Sequence, residues 1–264
     1  MTLKTLKTSK TSKTLNIKKK HIMRRTLLAA AVLVTAALHA QTDNRAREAA
    51  VKIADRIVAS TSYDFRNVKT GEVIKSVRDM PLSMYVRVSS KYNNWHYTNG
   101  VTNIAMLELA DKTGRKDYER YVLRNMNFVF NEGNLDFFRR QYDKALKEGG
   151  WYAVRKLSWH MIFRGKRLDD NGPMGASLIE LQKRHPDKAF AEYIGATAEH
   201  LRTAEPRLAD GTIARIWPHV NTVWADDAFM AVSFLARMGG MTGDNTWFDD
   251  AARQIISYDS LLWC

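Results

Sequence analysis

Two places in the chain set a pair of aspartates beside arginine and aromatic side chains. RLDDNG carries Asp169 and Asp170, and TVWADDAFM carries Asp226 and Asp227. Charges are costly next to apolar neighbours unless something pairs with them or uses them. Two carboxylates facing each other across a pocket can have their proton affinities pushed apart, so that one acts as an acid while the other stays charged and orients it. Arg164 and Arg167 accompany the first pair; Arg215, Trp217, His219 and Trp224 precede the second; Trp95, His96, Tyr97 and Asn99 gather in a third stretch, NNWHYTNG. Aromatic faces with carboxylates and hydrogen-bonding side chains suit a sugar ring, and an arginine suits an acidic one. The same residues also admit plainer roles. An aspartate at a helix start caps it or complements its dipole. Trp95 and Trp224 serve equally well as core aromatics, and His96, His160 and His219 as ordinary hydrogen-bonded side chains. No HxxxH or HExxH spacing, GxSxG, phosphate-binding loop or dinucleotide fingerprint occurs, so neither a metal nor an organic cofactor is expected.

Three segments must position these residues, and they resemble one another. They run Asn99–Phe130, Asn171–Leu201 and Asp226–Tyr258. Each has a polar start, an apolar helix, a short turn (KTGRKDY, RHPDKAF, MTGDNTWF), an aromatic residue and a second, amphipathic helix. Gly114, Pro186 and Gly243 supply the breaks. Asn44–Ser60 has the same helical spacing, whereas Tyr63–Ser90 is polar, contains Pro81 and reads as a long connection with little regular structure. Recurring helical hairpins need neighbours to bury their faces. Their irregular period fits a closed ring of hairpins better than a tight solenoid. In such a ring the starts of the inner helices converge on one mouth, and the loops before them carry the site.

The chain ends place further bounds. Residues 1–22 form a low-complexity Lys/Thr extension, and Met23–Ala40 reads as a signal peptide, with Arg24 and Arg25 before the apolar run TLLAAAVLVTAALHA. The expectation is export to the periplasm or beyond, with no stable membrane span after signal removal. The formal charge is +13, but nine of those charges precede Thr26 and no acid precedes Asp43, which leaves +4 for the remainder. A nucleic-acid partner therefore has little support. The single cysteine, Cys264, excludes an internal disulfide. Residues 41–264 then form one helical unit.

The segments RLDDNGPMGASLIEL, DGTIAR and TVWADDAFMAVSFLARMGGMTGD, with WHYTNGVTNIAMLEL before them, resemble the unsaturated rhamnogalacturonyl hydrolases, glycoside hydrolase family 105, from about Arg45 onward. The resemblance implies an all-α (α/α)6 barrel. It also implies removal of a 4,5-unsaturated galacturonyl residue from the non-reducing end of pectin oligosaccharides by hydration of the double bond, without metal or cofactor. Carried over, Asp226 matches the catalytic acid/base and Asp170 its partner carboxylate. Asp169 and Asp227 become structural supports, and Trp95, Tyr97, Asn99, Arg215 and Trp224 line the sugar site. Members of the family continue well beyond Cys264, with a histidine and an Arg-Gly-Asn-Gly-Trp segment at the site. The expectation is thus an incomplete barrel with roughly four of six hairpins, its activity in doubt and its apolar flanks open. The alternative is a non-catalytic carbohydrate-binding or helical-repeat interaction module.

Overall fold

A computed structural model of the protein describes residues 44–165 and 167–263; the expected Lys/Thr extension and signal segment lie outside these residues. The chain divides into two units, Met1–Ile53 and Ala54–Cys264. In the first, residues 44–53 are helical. The second opens with helical residues 54–60, here α1. A small sheet follows, with β1 (Phe65–Asn67), β2 (Val73–Ile74) and β3 (Val86–Val88), and then helices from Tyr97 to Leu262. The class is all-α, as expected. Among the described residues no helix is long and apolar enough to cross a membrane.

The three resembling segments fold as three hairpins. They are α2 (Tyr97–Thr113) with α3 (Lys116–Phe130), α6 (Leu168–Arg184) with α7 (Lys188–Thr203), and α8 (Ala225–Thr242) with α9 (Asn245–Leu262). Their turns follow the breakers: Gly114 and Gly243 close α2 and α8 in the left-handed conformation that only glycine adopts cheaply. Asp187 and Asp244 then cap α7 and α9 through their side chains. The third residue of each second helix is a buried aromatic, namely Tyr118, Phe190 and Trp247, which seals the hairpin at its turn. The first helices stand in a row, α2 against α6 and α6 against α8, each backed by its own partner helix.

Neighbours in that row touch backbone to backbone near their N-terminal ends. A Cβ on Gly100 would lie 2.4 Å from the Pro173 carbonyl carbon, and one on Gly172 would lie 2.3 Å from the Met230 carbonyl oxygen. The sequence between the hairpins holds more structure than expected. The stretch read as an irregular connection forms the antiparallel sheet β2-β1-β3, with Phe65 opposite both Ile74 and Val88. Phe65 is buried and stacks on Phe128, which ties the sheet to α3. Strands of two or three residues leave too short an alternation to read from sequence. Between α3 and α6 lie α4 (Asn134–Val154), kinked at Gly150, and the short α5 (His160–Arg164).

Replacing Gly172 by alanine must push α6 from α8, since the obstacle is backbone. We expect Gly172→Ala to cost about 3 kcal/mol in urea unfolding. Gly195→Ala, inside α7 with nothing within 4 Å, should stabilise by about 0.5–1 kcal/mol. Equal, small shifts in both midpoints would show that the close approach does not constrain the fold.

Candidate active site

The register of the first helices decides which side chains reach the mouth. Their first residues are Tyr97, Leu168 and Ala225. The third residues, Asn99, Asp170 and Asp227, are all buried and all bond to chain preceding their own helix. Asn99 donates from Nδ2 to the carbonyls of Lys91 (3.0 Å) and Asn94 (2.8 Å). Asp170 accepts a two-pronged bond from Arg164, with Nε at 2.5 Å and the second nitrogen on the other oxygen. Asp227 accepts the same fork from Arg215, at 2.6 and 2.8 Å. The second residues of α6 and α8, Asp169 and Asp226, turn instead toward solvent, with side-chain exposures of 24% and 49%. Neither aspartate pair supplies an N-cap. Those positions belong to Arg167 and Trp224, which make no side-chain capping bond.

Arg215 joins the two helix starts. Its guanidinium lies 3.1 Å from Asp226 and 3.8 Å from Asp169 in addition to its fork on Asp227, and it stacks 4.1 Å from the Trp224 ring centre. The loop bearing it is tied to α9: Ile213 N donates to Gln254 Oε1 at 2.8 Å, Tyr258 Oη donates to the Ile213 carbonyl at 3.0 Å, and Arg207 forks onto Asp250. Oxygens of Asp169, Asp226 and Asp227 approach within 4.8 Å of one another. Such a trio could ligate a cation, but here the guanidinium supplies the positive charge. Burial pushes the Asp227 carboxyl upward and Arg215 opposes it; the bond to Asp227 in turn holds Arg215 above the usual arginine range.

A sequence model of Glycosyl Hydrolase Family 88 matches residues 72–262, which take in β2, β3 and all three hairpins. The chain belongs to that family. It is also similar to two solved structures, each described as a possible member of the GH105 family, from Klebsiella pneumoniae subsp. pneumoniae MGH 78578 and from Salmonella enterica subsp. enterica serovar Paratyphi A str. ATCC 9150. Each shows 13% identity and a TM-score of 0.47 over 81% of this chain. The chain spans about half the length of each, 48%. No curated protein matches it.

In this family 88 chain the residues expected at a sugar site fall into two groups. Asp226, Asp169, Asp227, Arg215 and Trp224 come together as described. Trp95 and Asn99 do not reach the mouth: Trp95 is buried, donates from Nε1 to the Asp170 carbonyl at 2.9 Å and packs edge-on against Tyr193, and Asn99 holds the loop before α2. Tyr97 is partly buried against the core, with its ring 4.5 Å from His96. The two carboxylates of the α6 pair are placed differently. Asp170 has no solvent exposure and is occupied by Arg164, so Asp169 is the carboxylate at the mouth. Burial pushes the Asp170 carboxyl upward against the pull of Arg164.

An open cleft of about 450 Å³ lies beside the trio, lined by Arg167, Asp169, Glu205, Arg215 and Trp217 among others. Glu205 was not anticipated from the sequence. A lone acid in a loop carries no spacing signal, and its one cue is a place shortly before DGTIAR. Burial, helped by the charge of Asp227, pushes its carboxyl to about 8, and His200 Nε2 lies 2.8 Å from it. His96, which caps α2, is pushed down by burial, against the charge of Asp169.

Two outcomes follow from these pairings. Arg215→Met leaves Asp227 buried without its partner and should cost about 3–5 kcal/mol in chemical denaturation; adding Asp227→Asn should recover most of it. An additive double variant would refute the pairing. A carboxyl raised in the fold stabilises below its unfolded value, and this contribution is lost as pH rises through the folded value. The stability of the wild type relative to Glu205→Gln should therefore fall from near pH 4.5 to about 8, read as the difference between two urea series. A flat difference would mean that Glu205 is not proton-loaded in the fold.

Proposed function

We propose that this chain acts on unsaturated uronyl oligosaccharides, removing a 4,5-unsaturated galacturonyl residue from the non-reducing end of pectin (rhamnogalacturonan) oligosaccharides. The observation that carries this reading is the mouth itself, in a chain of family 88: Asp226 is half exposed, held by one guanidinium contact, and close to Asp169 and Trp224. Asp226 keeps lone pairs free for a substrate or a water. It is the acid/base in this proposal, and Asp169 takes the partner position expected of Asp170.

The reaction is a hydration. Asp226 delivers a proton to carbon 4 of the unsaturated ring while water, losing a proton to the carboxylate, adds at carbon 5. The hydrated carbon 5 is a hemiketal, which opens to a ketone. The hemiacetal left at carbon 1 then expels the remaining sugar as an alcohol. Because carbon 1 is never attacked, the separation of two carboxylates does not set the stereochemical outcome as it does in ordinary glycoside hydrolysis. Arg215 fixes the direction of Asp226 from the loop anchored on α9. Export, read from Met23–Ala40, would bring the chain to polysaccharide fragments outside the cytoplasm.

Turnover is followed as loss of the ultraviolet absorbance of the conjugated double bond in an unsaturated rhamnogalacturonan disaccharide. Asp226→Asn should lower kcat by about 10²–10⁴ with the fold retained. In heavy-oxygen water the label should enter at carbon 5 and not at carbon 1. Undiminished turnover by Asp226→Asn, or label at carbon 1, would remove this mechanism.

A further inference from the structure

Two arginines line the cleft, and their circumstances differ. Arg215 shares its charge among Asp227, Asp226 and Asp169 through Nε and one terminal nitrogen, so a substrate carboxylate could take that edge only by breaking the fork that orients the trio. Arg167 has no such engagement. Among the described residues no carboxylate pairs with it, its side chain is exposed, and its guanidinium lies 5.2 Å from the ring centre of Trp217 on the same cleft wall. Trp217 is itself 60% exposed, so the pair stands in solvent beside the cleft. A guanidinium over an indole face keeps its edge N–H groups pointing outward in a plane, the geometry that grips a carboxylate with two parallel bonds. Arg167 also precedes Asp169 by two residues at the N-terminus of α6. An anion gripped there lies beside the mouth carboxylates. An anionic sugar entering a mouth with three aspartates needs a cation that those aspartates have not already neutralised.

We propose that Arg167, braced on Trp217, selects carboxylate-bearing sugars by taking the uronate in a two-pronged ion pair, and that Arg215 is a positioning residue for Asp226 and Asp227. The inference rests on the uronyl reading above and names the residue behind its substrate preference. Lysine at position 167 would keep the charge without the fork, and glutamine would keep neither.

The test uses the full chain with an unsaturated rhamnogalacturonan disaccharide and its carboxyl methyl ester. Arg167→Gln should raise KM for the acid about 10- to 100-fold with kcat nearly unchanged, and leave the ester's constants as they were. Arg167→Lys should fall between. An equal loss on acid and ester would make Arg167 structural, and no change would place uronate recognition elsewhere; either overturns the proposal. Calorimetric titration of galacturonate against galactose separates this inference from the activity. If the wild type turns over neither substrate yet prefers galacturonate and loses that preference in Arg167→Gln, the hydrolase reading fails and the binding role stands. If the wild type turns over neither and shows no preference for galacturonate, both fall.

Discussion

The close backbone approach of the first helices governs the rest of the molecule. A contact of 2.3 Å from a hypothetical Cβ on Gly172 to the Met230 carbonyl oxygen leaves room only for hydrogen, and Gly100 meets Pro173 in the same way. Side-chain packing would hold neighbouring helices about 8–10 Å apart. Glycine lets them come closer, and it does so within the first two turns, beside the positions that carry Asp169, Asp170, Asp226 and Asp227. Carboxylates on separate hairpins are thereby brought to one arginine, Asp226 and Asp227 of α8 by hydrogen bonds and Asp169 of α6 at an ion-pair distance of 3.8 Å. The aspartates do not assemble the mouth; they occupy one that backbone contact has already formed.

That proximity would be unfavourable without the second device, which is the use of each helix's third residue as an anchor. Asn99, Asp170 and Asp227 turn inward and bind chain that precedes their own helix, which for Asp170 is the last residue of α5. A buried carboxylate without a partner is costly, whereas one gripped by a guanidinium fork keeps its charge and fixes a loop. The two aspartate pairs therefore have one logic: the inner member holds the chain before its helix, and the outer member faces the mouth. The N-terminal ends of α6 and α8 favour negative charge at both positions, which further stabilises an arrangement that carboxylate repulsion opposes.

This logic also explains what could and could not be read from the sequence. Hairpin order, the Gly114 and Gly243 turns and the convergence of helix starts were readable, because apolar periodicity and helix breakers are local signals. The choice between Asp169 and Asp170 was not, since it turns on a single position of helix register and on Arg164 folding back from α5. Trp95 and Tyr97 stand beside each other, but only the structure shows that Trp95 lies beneath the mouth, donating to a backbone carbonyl. Glu205 escaped notice for a related reason. Its surroundings, His200 of α7 and the charge of Asp227 on α8, lie on other elements and leave no mark at position 205.

In the proposed site Arg215 is a positioning residue, and its contacts show how. A guanidinium offers five N–H groups in a plane. Here Nε and one terminal nitrogen are committed to Asp227, the same terminal nitrogen also reaches Asp226, and the face rests on Trp224. The gradient of contacts, from the fork on Asp227 through 3.1 Å to Asp226 and 3.8 Å to Asp169, is a gradient of freedom. Asp227 is fixed, Asp226 is aimed but available, and Asp169 is only biased. A general acid/base needs both orientation and a free oxygen, and among the three Asp226 best combines them. The loop carrying Arg215 is itself anchored through Ile213 to Gln254 and Tyr258, so the aim of Asp226 depends on the far helix of its own hairpin as much as on its neighbours at the mouth.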